Sequence, residues 1–387
     1  MVVGDTEMQD RRGFLKHGSA LATGLLAAGW TAPSIAGRTR SSRIPLIHIT
    51  DMYHPPQDPD DHFDLATIAA LPEFDLQGVI LDVTQKFLDP APAGWDIARD
   101  PGYVPVVQLG HILGRAIPVA AGPVAPLDSV GDDLRGRPAV QQAGVTLLLE
   151  LLDASPEPVV LSLVGSARVV AAAFNRAPDL LRSKTAAVVL NAGSTGGPKR
   201  EWNVGLDQAA YVRLWRSGLP IHWYPCGTPS GAFDPAHERG TYWKATHGDL
   251  LGSLSPAMRA WFACALSGSR RGDVIQLLAD PIDSAFWEGA MQEARNMWST
   301  ASLAMTAGRD LVHTGEGWRF VPGGSAGSDT VWPWRLDPVS ASVDDAGVVT
   351  WAVAGGASHH RLFGRKGGTA FGAAMGEALG ALLGTIA

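Results

Sequence analysis

The segment TDMYHPPQDPDDHFD (50–64) brings Asp51, Asp58, Asp60, Asp61 and Asp64 together directly after an apolar run. Carboxylates this crowded repel one another, and a hard divalent cation such as calcium, which takes oxygen ligands, relieves that repulsion. A cation there can also lower the pKa of a bound water, and a spare carboxylate can accept the proton. The same residues read equally well as a solvated acidic turn in which Asp60 and Asp61 cap a helix. The spacing is not that of an EF-hand, because no Gly stands at the sixth position and no Glu at the twelfth.

Other residues able to do chemistry give weaker signals. His54 lies inside the acidic loop and reads as a surface residue between Tyr53 and Pro55; His359 and His360 read as solvated, and His237 and His247 border a helical region. Gly165-Ser166 lacks the flanking pattern of a nucleophile elbow. The GSTGG stretch (193–197) lacks the Lys-Ser/Thr pair of a phosphate loop and reads as a turn. Of the 13 Trp, Trp202, Trp223, Trp243, Trp287 and Trp298 are candidates to stack on a base or sugar ring, although most belong in a core.

These groups need a scaffold, and the sequence supplies one. IPLIHIT (44–50), LQGVILDV (76–83), AIPVAAG (116–122), PVVLSLVG (158–165), AAVVLNAG (186–193) and PIHWYP (220–225) are short apolar runs of the kind buried in a parallel sheet. Between them, DHFDLATIAAL and the segments near 138–153, 166–176 and 207–217 show helical spacing. Strands alternating with helices imply an α/β fold, an open, mostly parallel sheet flanked by helices. Residues 228–311 read as a helical insert containing SPAMRAWFACALSG and SAFWEGAMQEARNMWSTASLAMTAG. GWRFVP, PVSASV and GVVTWAV then read as strands of a small C-terminal β-rich extension, closed by a Gly/Ala-rich helix over 368–385.

The chain has 387 residues, with 31 Lys+Arg against 38 Asp+Glu, a net charge of −7 that excludes a basic nucleic-acid-binding surface as its main business. Hydrophobic residues at 46% and charged residues at 18% give a globular balance. Cys226 and Cys264 are too few for a disulfide scaffold or a thiolate zinc site and read as free thiols. Arg11 and Arg12, followed by Phe14, Leu15, Lys16 and a mildly apolar stretch from Gly18 to Trp30, match a twin-arginine export signal over 1–36, with an amphipathic first helix as the alternative. That reading expects export machinery as a partner, a periplasmic or secreted mature protein and no stable membrane anchor. An α/β domain over 44–312 and the extension over 313–387 would follow.

The order of segments resembles the nucleoside hydrolases, the inosine/uridine-preferring N-ribohydrolases, and more closely their divergent bacterial relatives. Four stretches carry the resemblance: Thr50-Asp51 with DPDDHFDLATIAALPEFDLQGV, then AIPVAAG, PVVLSLVGSARVVAAAFNRAPDL and EWNVGLDQAAYVRLWRSGLPI, together spanning about 45–225. The resemblance implies a calcium cofactor held by Asp51, Asp60, Asp61 and the Val164 carbonyl, with Asp51 and Asp60 as catalytic residues. It implies substrate contacts from Asp61, Gln85, Asn191, Glu201 and Asn203, Gln85 standing where the family usually has Asn. The implied activity is hydrolysis of an N-glycosidic bond, with a calcium-bound water activated by the Asp cluster and the carboxylates stabilising positive charge on the sugar. Its partner is a small-molecule nucleoside or sugar; a homo-oligomer is left open.

The sequence also departs from the family. The N-terminal motif is longer than usual, and the late His-Asp pair, which supplies a ligand and a leaving-group acid, is absent. Where a helix is expected to carry it, the chain reads ARNMWSTASLAM, placing Asn296 and Trp298 nearby. Two rivals therefore accompany the hydrolase: a catalytically impaired nucleoside- or sugar-binding protein on the same scaffold, and a glycosidase for another sugar.

Overall fold

The computed structural model describes residues 43–88, 99–196, 201–325 and 330–386, the side chains of Gln85 and Lys86 excepted. The expected signal segment 1–36 lies outside these described residues. Residues Arg43–Ala387 cluster as one compact unit.

The first six strands are β1 (Ile44–Thr50), β2 (Phe74–Leu81), β3 (Val119–Ala121), β4 (Val159–Val164), β5 (Thr185–Asn191) and β6 (Ile221–Trp223). They are followed by β7 (Trp243–Thr246), β8 (Ala294–Met297), β9 (Arg309–Thr314), β10 (Gly317–Pro322), β11 (Trp334–Val343), β12 (Val349–Val353) and β13 (His360–Arg365). Nine of them form one sheet in the order β12-β11-β13-β6-β5-β4-β1-β2-β3. Strands β3 through β6 and β13 run parallel, and only the β12-β11-β13 edge is antiparallel. The fold class expected from the sequence is the one observed. The C-terminal strands lie at the edge of the main sheet, where β13 pairs with β6.

The helices are α1 (Asp60–Ala70), α2 (Gln85–Leu88), α3 (Tyr103–Ile112), α4 (Ala143–Ala154), α5 (Arg168–Arg176), α6 (Pro178–Lys184), α7 (Trp202–Leu206), α8 (Gln208–Trp215), α9 (His247–Leu251), α10 (Pro256–Ser267), α11 (Ser284–Met291), α12 (Thr300–Thr306) and α13 (Ala370–Leu383). None of the described helices is long and apolar enough to cross a membrane. They cover both faces of the sheet. Successive side chains on β1 go to opposite faces, Leu46 joining one apolar cluster and Ile47 and Ile49 the other. Within this strand His48 is fully buried with Nδ1 3.2 Å from Ser162 Oγ, and burial pushes its imidazole down to about 3 so that it stays neutral.

Helix boundaries follow local chemistry. Ser255 accepts a hydrogen bond from the Met258 N–H at the start of α10, Pro256 occupies the first turn, and Gly268 ends the helix at φ 63°. The Gly/Ala composition of α13 has a packing cause: a Cβ at Gly380 would stand 2.3 Å from the Asp249 carbonyl oxygen, so only glycine lets this helix lie against α9.

One expectation fails. Residues 284–308, read as continuously helical, divide into α11, β8 and α12, and β8 pairs antiparallel with β7. Cross-strand pairing with a segment some fifty positions earlier, Trp243 opposite Met297, overrides the local helical spacing. The pairing matters because the turn after β8 reaches the site described next.

Candidate functional site

Open parallel sheets offer a crevice at the carboxyl ends of their strands. Here a cavity of about 310 Å³ lies at the ends of β1, β4, β5 and β6. Asp51, Asp60, Asp61, Val164, Asn191, Glu201 and Asn203 all line it. Gln57, Asp58, Gly165, Trp202, Cys226, Ala232, Phe233, Trp298 and Ser299 complete the wall. Of the residues expected at the site, Gln85 alone is not assessed: its backbone begins α2, and its side chain lies outside the described residues.

Asp51 follows the last residue of β1, while Asp60 and Asp61 form the first turn of α1. The Thr50 hydroxyl donates to Asp61 Oδ1 at 2.6 Å, and Asp60 Oδ1 accepts the Asp61 N–H at 3.0 Å. Asp58 is paired with Arg295 of β8 at 2.7 Å. Burial raises the carboxyl pKa of Asp51, Asp60 and Asp61 well above the ordinary range, and neighbouring carboxylates push in the same direction: Asp61 and Asp82 on Asp51, Asp58 and Asp64 on Asp60, Asp60 and Asp64 on Asp61.

Asp82, just after β2, is a supporting residue that the sequence reading passed over inside a strand. Its carboxylate accepts the Ser166 N–H at 2.6 Å and the Ser166 hydroxyl at 2.8 Å. The turn it holds is tight. Gly165 sits at φ 97°, and a Cβ there would come within 2.7 Å of Asp82 Oδ2 and 3.2 Å of Asp51 Oδ1. Glycine at this position is what lets two carboxylates approach the end of β4.

On the other side, Glu201 caps α7: Oε1 accepts the Asn203 N–H at 3.0 Å, and Oε2 accepts those of Gly193 at 2.9 Å and Val204 at 3.2 Å. Burial nevertheless raises its pKa, against the effect of these donors. Asn203 Nδ2 donates to the Asn191 carbonyl oxygen at 3.1 Å, and Asn191 Nδ2 donates to the Leu163 carbonyl oxygen at 3.3 Å. Asn191 Oδ1 is buried and has no hydrogen-bond partner among the described residues.

The remaining wall is aromatic and neutral. Phe233, Tyr242 and Trp298 pack mutually with ring centroids 5.5 Å apart, and the Trp298 indole N–H donates to the Ala232 carbonyl oxygen at 3.0 Å. Trp202 and Phe233 are exposed at the mouth. Ser299, following Trp298, donates to the Asp64 carboxylate.

Several weaker candidates fall away. His54 is 3% exposed rather than on the surface, Nε2 lying 2.6 Å from the Ser269 carbonyl oxygen, and it faces a different cavity. His247 is buried against the Ala290 carbonyl oxygen and Arg295, His237 Nδ1 accepts the Arg239 N–H, and His360 stacks edge-on against Trp215. Cys226 and Cys264 are free and buried.

The donor chemistry fits a hard cation: crowded carboxylates with raised pKa values and a buried, unpartnered amide oxygen. Among the described residues, no three His, Cys, Asp or Glu side chains stand as a ready-made metal site, Asp60 being turned to the Asp61 N–H and Asp61 to the Thr50 hydroxyl. The expected solvated, capping turn is not what forms: Asp60 and Asp61 stand in the first turn of α1, whose N-cap is Pro59 without a side-chain cap hydrogen bond, and Asp61 is buried.

No family model and no curated protein matches this sequence. Solved structures do match its fold. The purine-preferring ribonucleoside hydrolase from Gardnerella vaginalis gives a TM-score of 0.51 at 14% identity, over 88% of this chain and 99% of its own. The effector protein XOO4466 gives 0.51 at 17% identity over 89% and 94%, and the plant nucleoside hydrolase PpNRh1 gives 0.50 at 13% identity over 88% and 99%. At such identities the likeness concerns the fold, and the chain has the nucleoside-hydrolase-like α/β fold.

Proposed function

We propose that this chain is a hydrolase of N-glycosidic bonds, acting on a nucleoside or a related ribosyl compound. The observation that carries this reading is the meeting of Asp51, Asp60, Asp61, Asn191, Glu201 and Asn203 in one cavity of about 310 Å³ at the strand ends. Two stretches far apart in sequence, 51–61 and 191–203, supply them. A cavity of that size suits a small polar ligand, and the nucleoside hydrolases named above share the scaffold.

In this reading Asp51, Asp60, Asp61 and the Val164 carbonyl hold a calcium ion. Bound there, calcium supplies the positive charge that offsets the carboxylates and makes water more acidic. Asp51, which lines the cavity beside Asp60 and Asp61, takes the proton of the attacking water. Asn191 Oδ1, unpartnered, accepts from a sugar hydroxyl. Asn203 and Glu201, tied to β5 and to α7, face that sugar from the opposite side. Trp202 and Phe233 offer rings at the mouth for a base. If residues 1–36 are removed as an export signal, the mature enzyme works in the periplasm or outside the cell.

One observation favours a second reading, a nucleoside- or sugar-binding protein without turnover: Trp298 and Ser299, on the wall where a leaving-group acid is expected, carry no ionisable group of ordinary acidity. The test is reducing-sugar release from a panel of nucleosides, with chelator and with added calcium. The hydrolase reading expects release that chelator removes and calcium restores. Tight ribose binding with no release from any nucleoside supports the binding protein instead, and absence of both binding and release contradicts both readings.

A further inference from the structure

The neutral wall raises the question of where a leaving base obtains its proton. Three polar hydrogens lie on it. The Trp298 indole N–H is already given to the Ala232 carbonyl oxygen, and burial with Glu201 nearby pushes the Cys226 thiol well above its usual range. The third is the Ser299 hydroxyl, which lines the cavity: it donates to Asp64 Oδ2 while that carboxyl is ionised, and once the carboxyl is protonated the bond reverses, Asp64 donating to Oγ and freeing the hydroxyl proton. Asp64 lies one turn beyond Asp60 and Asp61 on α1, is 1% exposed, and its Oδ1 is buried with no hydrogen-bond partner among the described residues. A buried carboxylate left half-satisfied is costly, whereas a neutral carboxyl in the same place is not.

We propose that the Ser299 hydroxyl, backed by the buried carboxyl of Asp64, hands the proton to the leaving group. This rests on the hydrolase reading above. The step balances: the water oxygen bonds to the anomeric carbon as the C–N bond breaks and its electron pair goes to the base nitrogen, that nitrogen takes the Ser299 Oγ proton as Oγ takes the Asp64 proton, and the proton of the attacking water goes to Asp51. Asp64 ends ionised and Asp51 protonated, and exchange with solvent resets both. Burial pushes the Asp64 carboxyl up to about 7, against the Ser299 hydrogen bond, so a substantial share of it holds its proton at neutral pH. Ser299 is the residue that touches the reacting atoms; Asp64 acts through it.

Leaving-group dependence separates this role from a structural one. Turnover of the best nucleoside in the panel is compared with that of 4-nitrophenyl riboside, whose leaving group departs without protonation. For Ser299→Ala and Asp64→Asn the ratio of nucleoside to nitrophenyl turnover falls about 10²-fold, the ordinary worth of a general acid. Ser299→Thr restores most of it by keeping a hydroxyl. A merely structural role lowers both substrates together and leaves the ratio unmoved, which overturns the proposal; so does an unchanged nucleoside rate. Should the alanine variant fail to fold, the near-isosteric Asp64→Asn and Ser299→Thr variants still decide the ratio. Cleavage of the nitrophenyl riboside without cleavage of any nucleoside by the unsubstituted protein overturns the proton donor and leaves the hydrolase reading standing. Cleavage of neither overturns both.

Discussion

The cavity has two walls of opposite character. Asp51, Asp60 and Asp61 crowd one side, while Ala232, Phe233, Trp298 and Ser299 line the other without a charge. The acidic wall comes from a loop and helix start directly after a central strand, and it is held by Thr50 and by the turn that Asp82 fixes. The neutral wall comes from the loop before β7 and the turn after β8, and its rings hold one another. In the proposed reaction the first wall serves the sugar and the water, and the second serves the leaving group. Helix α1 touches both: its first turn presents Asp60 and Asp61 to the cavity, and Asp64, one turn on, meets Ser299. The difference teaches that sugar-side chemistry and leaving-group chemistry can change independently on one scaffold.

The comparison can be broken most forcefully at the acidic wall. Asp51→Asn is expected to lower turnover by about 10³-fold, within the range for a lost general base, and to weaken calcium binding with it; equal turnover by steady-state assay contradicts the assignment. A second effect belongs to the junction of the walls. Burial pushes the Asp64 carboxyl from its ordinary 3.8 up to about 7 in the folded chain. Between those values the folded state holds the extra proton, so stability falls as pH rises through that window, by roughly 4 kcal/mol once ionisation is complete. Asp64→Asn removes this term, and thermal melts should show the variant gaining over the unsubstituted chain as pH goes from 5 to 8. Asp60 and Asp61 on the same helix, Ser299 just before α12 and Cys226 beyond β6 face Asp64, so the difference between the two melts reports residue 64 together with the repulsion it exerts on Asp60, Asp61 and Cys226. The smallest effect is expected at the mouth of the neutral wall. Phe233 is 63% exposed, so Phe233→Ala should leave folding intact and raise KM for nucleosides up to about tenfold, as the loss of one ring contact predicts.

Much of this arrangement was legible in the residues. The buried runs that became β1, β4 and β5 are too apolar for anything but central strands, and Asp51, Val164 and Asn191 then stand at or just beyond their ends because parallel strands share one direction. Glu201 and Asn203 were legible as members of the site but not as helix cap and cross-brace, since a five-residue helix carries no periodicity. The β7-β8 hairpin was illegible. Its strands WKAT and ARNM are four residues long and locally compatible with helix, and only their pairing across distant sequence decides the matter. Ser299 escaped notice for the same reason, as did its partner Asp64, which sequence counts merely as one more acid in the cluster. His54 was misjudged because a histidine beside prolines gives no sign of the Ser269 carbonyl oxygen that buries it.

The central claim is that the acids at the ends of the parallel strands form a cation site on which sugar binding depends. Calorimetric titration of the full chain with calcium, followed by ribose, tests it most directly. One calcium per chain, loss of that binding in Asp60→Ala, and ribose binding only after calcium is added are the expected results. Unchanged calcium affinity in Asp60→Ala, or ribose binding equally well in chelator, would contradict the claim.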